Sequence, residues 1–294
     1  MFVLNTDTSA IIAMTAMIIV YALFDLFNNR NVPTVFAYGT LVLAALFTLS
    51  TGSVPVIEES GLIAIIILAI GYLMYKSGQL GAADVIEFAA ISLFLPVQGI
   101  PLLVHAGYQY NIPFIVSVFI SSGIAALILI PVYYLPRAWM ILKKPLISYV
   151  SHKELPKAIF ITAAYVAFIL FLALVMHAGA ALLLLIAIIM VSSMVTMLFE
   201  KAITGSMISF LVPRQLEDQD ILAFNLMRKG EITEIKKKVK GFNKLVSTAM
   251  ITEMKKKIPK RKLPVYRSAM PMALPILIGV VVSLLVGNVL LYLF

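Results

Sequence analysis

Cysteine is missing from all 294 residues, tryptophan occurs once and histidine three times, at positions 105, 152 and 177. The first absence excludes disulfides, a thiol nucleophile and thiolate metal sites, and three dispersed imidazoles give little from which to build a metal centre. No metal and no cofactor is therefore expected. Charge is also scarce: Asp, Glu, Lys and Arg make up 13% of the chain against 62% hydrophobic residues, and the mean hydropathy is +1.02. A soluble chain of this length needs a largely polar exterior, so soluble enzymes and free nucleic-acid binders are excluded. What remains is an integral membrane protein.

A bilayer core of about 30 Å calls for roughly 20 apolar residues per helix. Eight stretches free of Lys and Arg meet that need, from Ser9 to Phe27, Pro33 to Thr51, Ser60 to Tyr75, Ala82 to His105, Pro113 to Leu135, Ala158 to Met176, Ala178 to Phe199 and Ala269 to Phe294. The expected fold class is all-α: a polytopic membrane protein of about eight transmembrane helices with a small basic cytosolic domain before the last. Its divisions are a five-helix membrane core (1–135), a loop (136–157), an additional hairpin (158–200), a basic segment (201–268) and a final span (269–294). Pro136 and the His177-Ala178-Gly179 turn punctuate helix ends, and Pro96, Gly99 and Pro101 predict a kink or early ending in the fourth span. The first span has neither a basic leader region nor a small-residue cleavage site, so it is expected to stay in the membrane.

Threading the chain through these spans puts all 23 Lys and Arg on one side, with Asp7, Glu58 and Glu59 on the other. The positive-inside rule then gives a multi-pass cell-membrane protein with both termini outside and the main loops cytoplasmic. The net charge of +9 is read as orientation and attraction to anionic lipid rather than nucleic-acid binding. Within the basic segment, Ile232, Ile235, Val239, Phe242, Val246 and Met250 recur at helical spacing among lysines. This predicts an amphipathic helix that lies on the inner leaflet, packs on the domain's own small core or binds a partner, in that order of expectation.

Charges at membrane depth cost about 2.5–3.5 kcal/mol on insertion scales, so each asks for a reason. Asp25 ends the first span, and Asp84 and Glu87 begin the fourth. The first runs inward and the fourth outward, which puts Asp25 and Asp84 at one depth. Two carboxylates close together in a low-dielectric site share a proton, and such a pair can activate a water while hydrogen-bonding a scissile carbonyl. The alternative is that Asp25 reaches the interface or pairs with Arg30, while Asp84 caps its helix.

The segment from Asp25 through Arg30 to Pro33 resembles the surroundings of the first catalytic Asp in prepilin and preflagellin peptidases. Gly81-Ala-Ala-Asp84 is similar to their GxGD motif, and Pro271-Met-Ala-Leu-Pro275 to the proline-spaced last helix of archaeal members. Ala83 departs from the motif's second glycine, and Ile86 stands where a basic residue is common. The resemblance implies an aspartic endopeptidase with Asp25 and Asp84 as catalytic pair and Gly81, Pro33, Pro271 and Pro275 as motif support. It also implies substrates with a basic leader and an apolar helix, cut at the cytoplasmic membrane face. Without cysteines or a Gly-rich nucleotide loop, no methylation is expected. Glu87 and the cluster Glu217, Asp218 and Asp220 are candidates to receive leader lysines, beside the reading of the cluster as a solvated loop. Two alternatives stand: a presenilin or signal-peptide-peptidase-like protease, suggested by Ala273-Leu274-Pro275, and a proton-coupled transporter or scaffold using the same acids.

Overall fold

The structure is a computed structural model that describes residues 6–28, 32–77, 80–95, 113–141, 150, 155–177, 179–218, 220–266 and 272–287. The protein is a multi-pass, all-α membrane protein, with a two-stranded ribbon as its only sheet among the described residues. Apolar helices stand in each of the eight expected stretches: α1 (Thr6–Phe27), α2 (Thr34–Ser50), α3 (Val54–Lys76), α4 (Ala82–Phe94), α5 (Phe114–Ile141), α6 (Leu155–Leu174), α7 (Ala180–Leu198) and α11 (Ala273–Val286). Five of them, α1, α3, α5, α6 and α7, are long and apolar enough to cross a membrane, whereas α2, α4 and α11 are shorter over the described residues. The expected kink at Pro96, Gly99 and Pro101 lies outside the described residues, as do Asn29, Arg30, Gly78, His105, Ala178 and Pro271.

The fifth span corrects one expectation. Pro136 was read as its end, yet α5 runs through both Pro131 and Pro136 to Ile141. Proline removes one helix hydrogen bond, but inside an assembly of helices the helix can continue past it.

Helix α4 sits at the centre of the first half. Every residue from Val85 to Phe94 is buried, against α2 and α3 on two sides and α1 and α5 beyond. Aromatic pairs fill the gaps, including Phe88 stacked on Phe119 with ring centres 4.1 Å apart and Phe47 against Phe94 at 5.3 Å. Thr48 Oγ1 donates to the Leu93 carbonyl at 2.6 Å, satisfying a buried hydroxyl across the α2–α4 contact. On the other side α11 packs along α5 and against α1. Helices α6 and α7 pair with each other and reach the bundle through α5. Only 11% of either span is buried, so their apolar faces point outward and suit lipid.

Beyond α7, helix α8 (Glu200–Met207) leads into a compact basic module. Strand β1 (Ile208–Leu211) pairs antiparallel with β2 (Leu263–Tyr266), and α9 (Lys229–Lys238) and α10 (Thr248–Lys257) lie between them in sequence. The amphipathic run expected to lie on the leaflet is not one helix. The chain leaves α9, turns at Gly241 and begins again at α10, whose Ser247 hydroxyl caps the Met250 N–H at 3.4 Å. Ile235, Val239, Phe242, Val246 and Met250 all enter the module's own core with Leu222, Met254, Leu263 and Val265. Burial against one another, rather than against lipid, is what their spacing encodes. At the surface, hydrogen bonds from Lys238 and Arg261 hold the Glu234 carboxyl below its ordinary range.

The module's core shares no residue with the membrane core. Met254→Ala, at a fully buried site, is expected to cost about 2–5 kcal/mol. Amide exchange should quicken across 208–266 and stay slow in α1, α4 and α5. Uniform acceleration over the whole chain would contradict two separate cores.

Candidate active site

Asp25 falls in the last turn of α1, and its side chain is buried, 7% exposed. One carboxylate oxygen, Oδ2, accepts the backbone N–H of Ala273 at 2.9 Å. Ala273 is the first residue of α11, whose opening N–H groups have no partner within their own helix. Asp84, half-buried, stands in the first turn of α4, where its Oδ2 accepts the Gly81 N–H at 3.0 Å. A Cβ at position 81 would lie only 2.9 Å from that oxygen, a physical reason for glycine at this position of the motif. Each aspartate therefore rests on a helix N-terminus, Asp25 on that of α11 and Asp84 on that of α4. The free N–H groups and helix dipole there favour negative charge.

The two carboxyl groups are near enough to feel one another's charge. Glu87, one turn further along α4, interacts electrostatically with both. It is completely buried, and neither of its oxygens meets a hydrogen-bond partner among the described residues. The Lys76 ammonium at the end of α3 sits over the Tyr72 ring at 5.4 Å.

Tyr21, one helical turn before Asp25, completes the polar wall and went unnoticed in the sequence. Its hydroxyl lies 3.1 Å from Thr40 Oγ1. Thr40 gives its own proton to the Ala37 carbonyl at 2.7 Å, so the tyrosine is the donor to Thr40. The spacing from Asp25, four residues, was the available signal, since it puts both on one face of α1. Ala273 left no such signal, because a backbone N–H carries no residue identity.

Pro33 immediately precedes α2, with its carbonyl accepting the Ala37 N–H at 3.0 Å, and Pro275 is buried in the first turn of α11. The Glu217, Asp218 and Asp220 cluster stands apart from the aspartates, on a turn of the basic module. Glu217 and Asp218 are exposed, whereas Asp220 Oδ2 accepts the Glu217 N–H at 2.8 Å. That turn continues into residues 220–222, which bond to residues 244–246. From the same segment the Lys244 ammonium donates to the Ser77 carbonyl at 3.1 Å, where α3 ends. The module thus touches the connection that leads to Asp84, and the cation complements the negative end of the α3 dipole.

Three acids, two of them buried and one half-buried, thus cluster where helix ends converge within a bundle of apolar helices. Residues 12–130 match the type IV leader peptidase family. That span, which carries Asp25, Asp84 and Glu87, is similar to these peptidases, and the match supports a type IV leader peptidase-like membrane protease. Helices α6 to α11 lie outside the matched span. No curated protein and no solved structure matches the chain.

Proposed function

We propose that this protein is an aspartic endopeptidase that removes basic leaders from class III precursors, prepilins or pre-archaellins, at the cytoplasmic membrane face, with Asp25 and Asp84 as its catalytic pair. What carries this reading is that two sequence-distant carboxyl groups, each seated on a helix N-terminus, lie within electrostatic reach of one another inside the stretch that matches the leader peptidases. That match favours leader removal over the intramembrane-protease and transporter readings.

In this mechanism the pair holds one proton. The ionised carboxylate takes a proton from water as the water oxygen bonds to the scissile carbonyl carbon. The protonated partner hydrogen-bonds the carbonyl oxygen and stabilises the charge developing there. Collapse of the tetrahedral adduct breaks the C–N bond, the amine leaves with a proton from the pair, and the one-proton state returns. Which aspartate carries the proton belongs to the coupled pair and not to either residue. The scissile bond must be extended, because a carbonyl inside a helix is already hydrogen-bonded. A junction between a basic leader and an apolar helix meets that need, and the apolar part can stay in lipid beside the bundle. The basic residues, all expected on one side of the spans, support a cytoplasmic position for both this junction and the basic module.

Co-expression with basic-leader precursors, followed by mass determination of the product, tests the reading. The expected product starts at the leader–helix boundary with an unmethylated amine. A cut within the apolar helix would favour the presenilin-like alternative.

The module's acids offer a counterweight to its lysines where the leader arrives. Combined Glu217→Lys, Asp218→Lys and Asp220→Asn changes, the last chosen to retain an acceptor for the Glu217 N–H, are expected to raise KM for basic leaders about three- to tenfold with little change in kcat. An unchanged KM removes these acids from recognition.

A further inference from the structure

The mechanism above uses two acids and leaves a third unexplained. Glu87 is fully buried in α4, one turn from Asp84, and both its oxygens lack a hydrogen-bond partner among the described residues. A buried carboxylate without a partner is strongly disfavoured. A merely structural residue at this depth is readily apolar, as Ile86 and Phe88 on either side are. The three acids are not arranged as metal ligands either.

The helices packed around α4 supply few other groups that titrate. From α1 come Tyr21 and Asp25, and the Tyr21 proton is committed to Thr40. Helix α2 brings hydroxyls, with Tyr38 as its only ionisable side chain and exposed. Helix α3 carries Tyr72, Tyr75 and Lys76 at one end, where Lys76 covers the Tyr72 ring, and Glu58 and Glu59 at the other. The titratable residues of α5 are confined to its far half, at Tyr133, Tyr134 and Arg137. No cation is placed beside Glu87 by any of these elements, among the described residues. Its electrical partners are Asp25 and Asp84 themselves.

We infer that Glu87 is a positioning residue for the catalytic proton, a third carboxyl group that keeps one proton on the Asp25–Asp84 pair as the surroundings become more alkaline. The inference rests on the proposed roles of those aspartates. Three interacting acids lose protons in steps that belong to the set. When the set gives up its next proton, Glu87 can be the group that gives it up, leaving the pair in its one-proton form. Once ionised, Glu87 repels a further negative charge on the pair and opposes loss of the last proton. No proton is consumed over a turnover, since each one lent is regained from solvent.

The test is the pH dependence of precursor cleavage by the full chain in detergent or lipid. Glu87→Gln matches the shape and cannot ionise. Its kcat should begin to fall at lower pH on the alkaline side than the wild type's, by about one pH unit. KM should stay within about threefold. Glu87→Asp restores an acid and should return the alkaline limb toward the wild-type position. If the Gln variant fails to fold, Glu87→Met supplies a neutral side chain suited to burial, with the same shift expected. A profile that superimposes on the wild type, or an equal loss at every pH, overturns the inference. Asp25→Asn keeps the two proposals apart: full activity in that variant sinks the dyad itself, whereas an unshifted Glu87→Gln profile with an inactive Asp25→Asn sinks only the third acid.

Discussion

Asp25→Asn and Asp84→Asn are each expected to lower precursor cleavage by about a thousandfold or more while leaving the protein folded and able to bind precursor. The separation of chemistry from fold follows from the bonds each residue makes. Asp25 accepts the Ala273 N–H and Asp84 accepts the Gly81 N–H, and the carbonyl oxygen of an asparagine amide can accept either one. What the substitution removes is the ability to hold, release and share a proton. Thermal unfolding within a few degrees of the wild type, with precursor retained uncut, is the expected pair of results. Substantial residual cleavage by either variant refutes the acid–base roles.

Gly279→Val is expected to disrupt the bundle strongly, because there is no room for a side chain at this position. A Cβ at Gly279 would lie 2.7 Å from the Ser122 backbone N and 2.9 Å from its Cα, so the obstruction is main chain and cannot rotate away. Forcing α5 and α11 apart costs about 1–3 kcal/mol where overpacking is relieved, and more where it is not. The same displacement would carry the α11 N-terminus, and with it the Ala273 N–H, off Asp25. Cleavage and melting temperature should fall together, and Ser122→Gly should rescue neither, because it removes the hydroxymethyl group and leaves the colliding backbone. Wild-type stability in Gly279→Val would mean that α5 and α11 do not approach as closely as described.

Most of the membrane bundle is legible in the sequence because lipid imposes so blunt a rule: a long run without Lys or Arg has few structures open to it. The rule is weaker at proline. Pro136 read as a breaker, yet α5 continues through it as it does through Pro131, and only knowledge of the helices packed beside it would have said so. In the basic module the apolar positions were legible, but their destination, the module's own core, ranked behind the inner leaflet. Ile235, Val239, Phe242, Val246 and Met250 keep a helical rhythm whether they face lipid or each other, and that rhythm does not mark the break at Gly241. Asp25 and Asp84 stood out because charge inside apolar stretches is rare. Glu87 stood out for the same reason, but its lack of any bonded neighbour is a property of packing that no spacing reveals. Lys244 was one lysine among many until it reached Ser77.

The hydrogen bond from Ala273 to Asp25 joins residues 248 positions apart, and it bears on what counts as a whole enzyme. A fragment cut to the boundaries of the family match would contain both acids and still be unfinished, because the donor that orients the first acid arrives from the far end of the polypeptide. Supplying α11 as a separate peptide, rather than lengthening the fragment stepwise, is the more direct way to make such a piece complete.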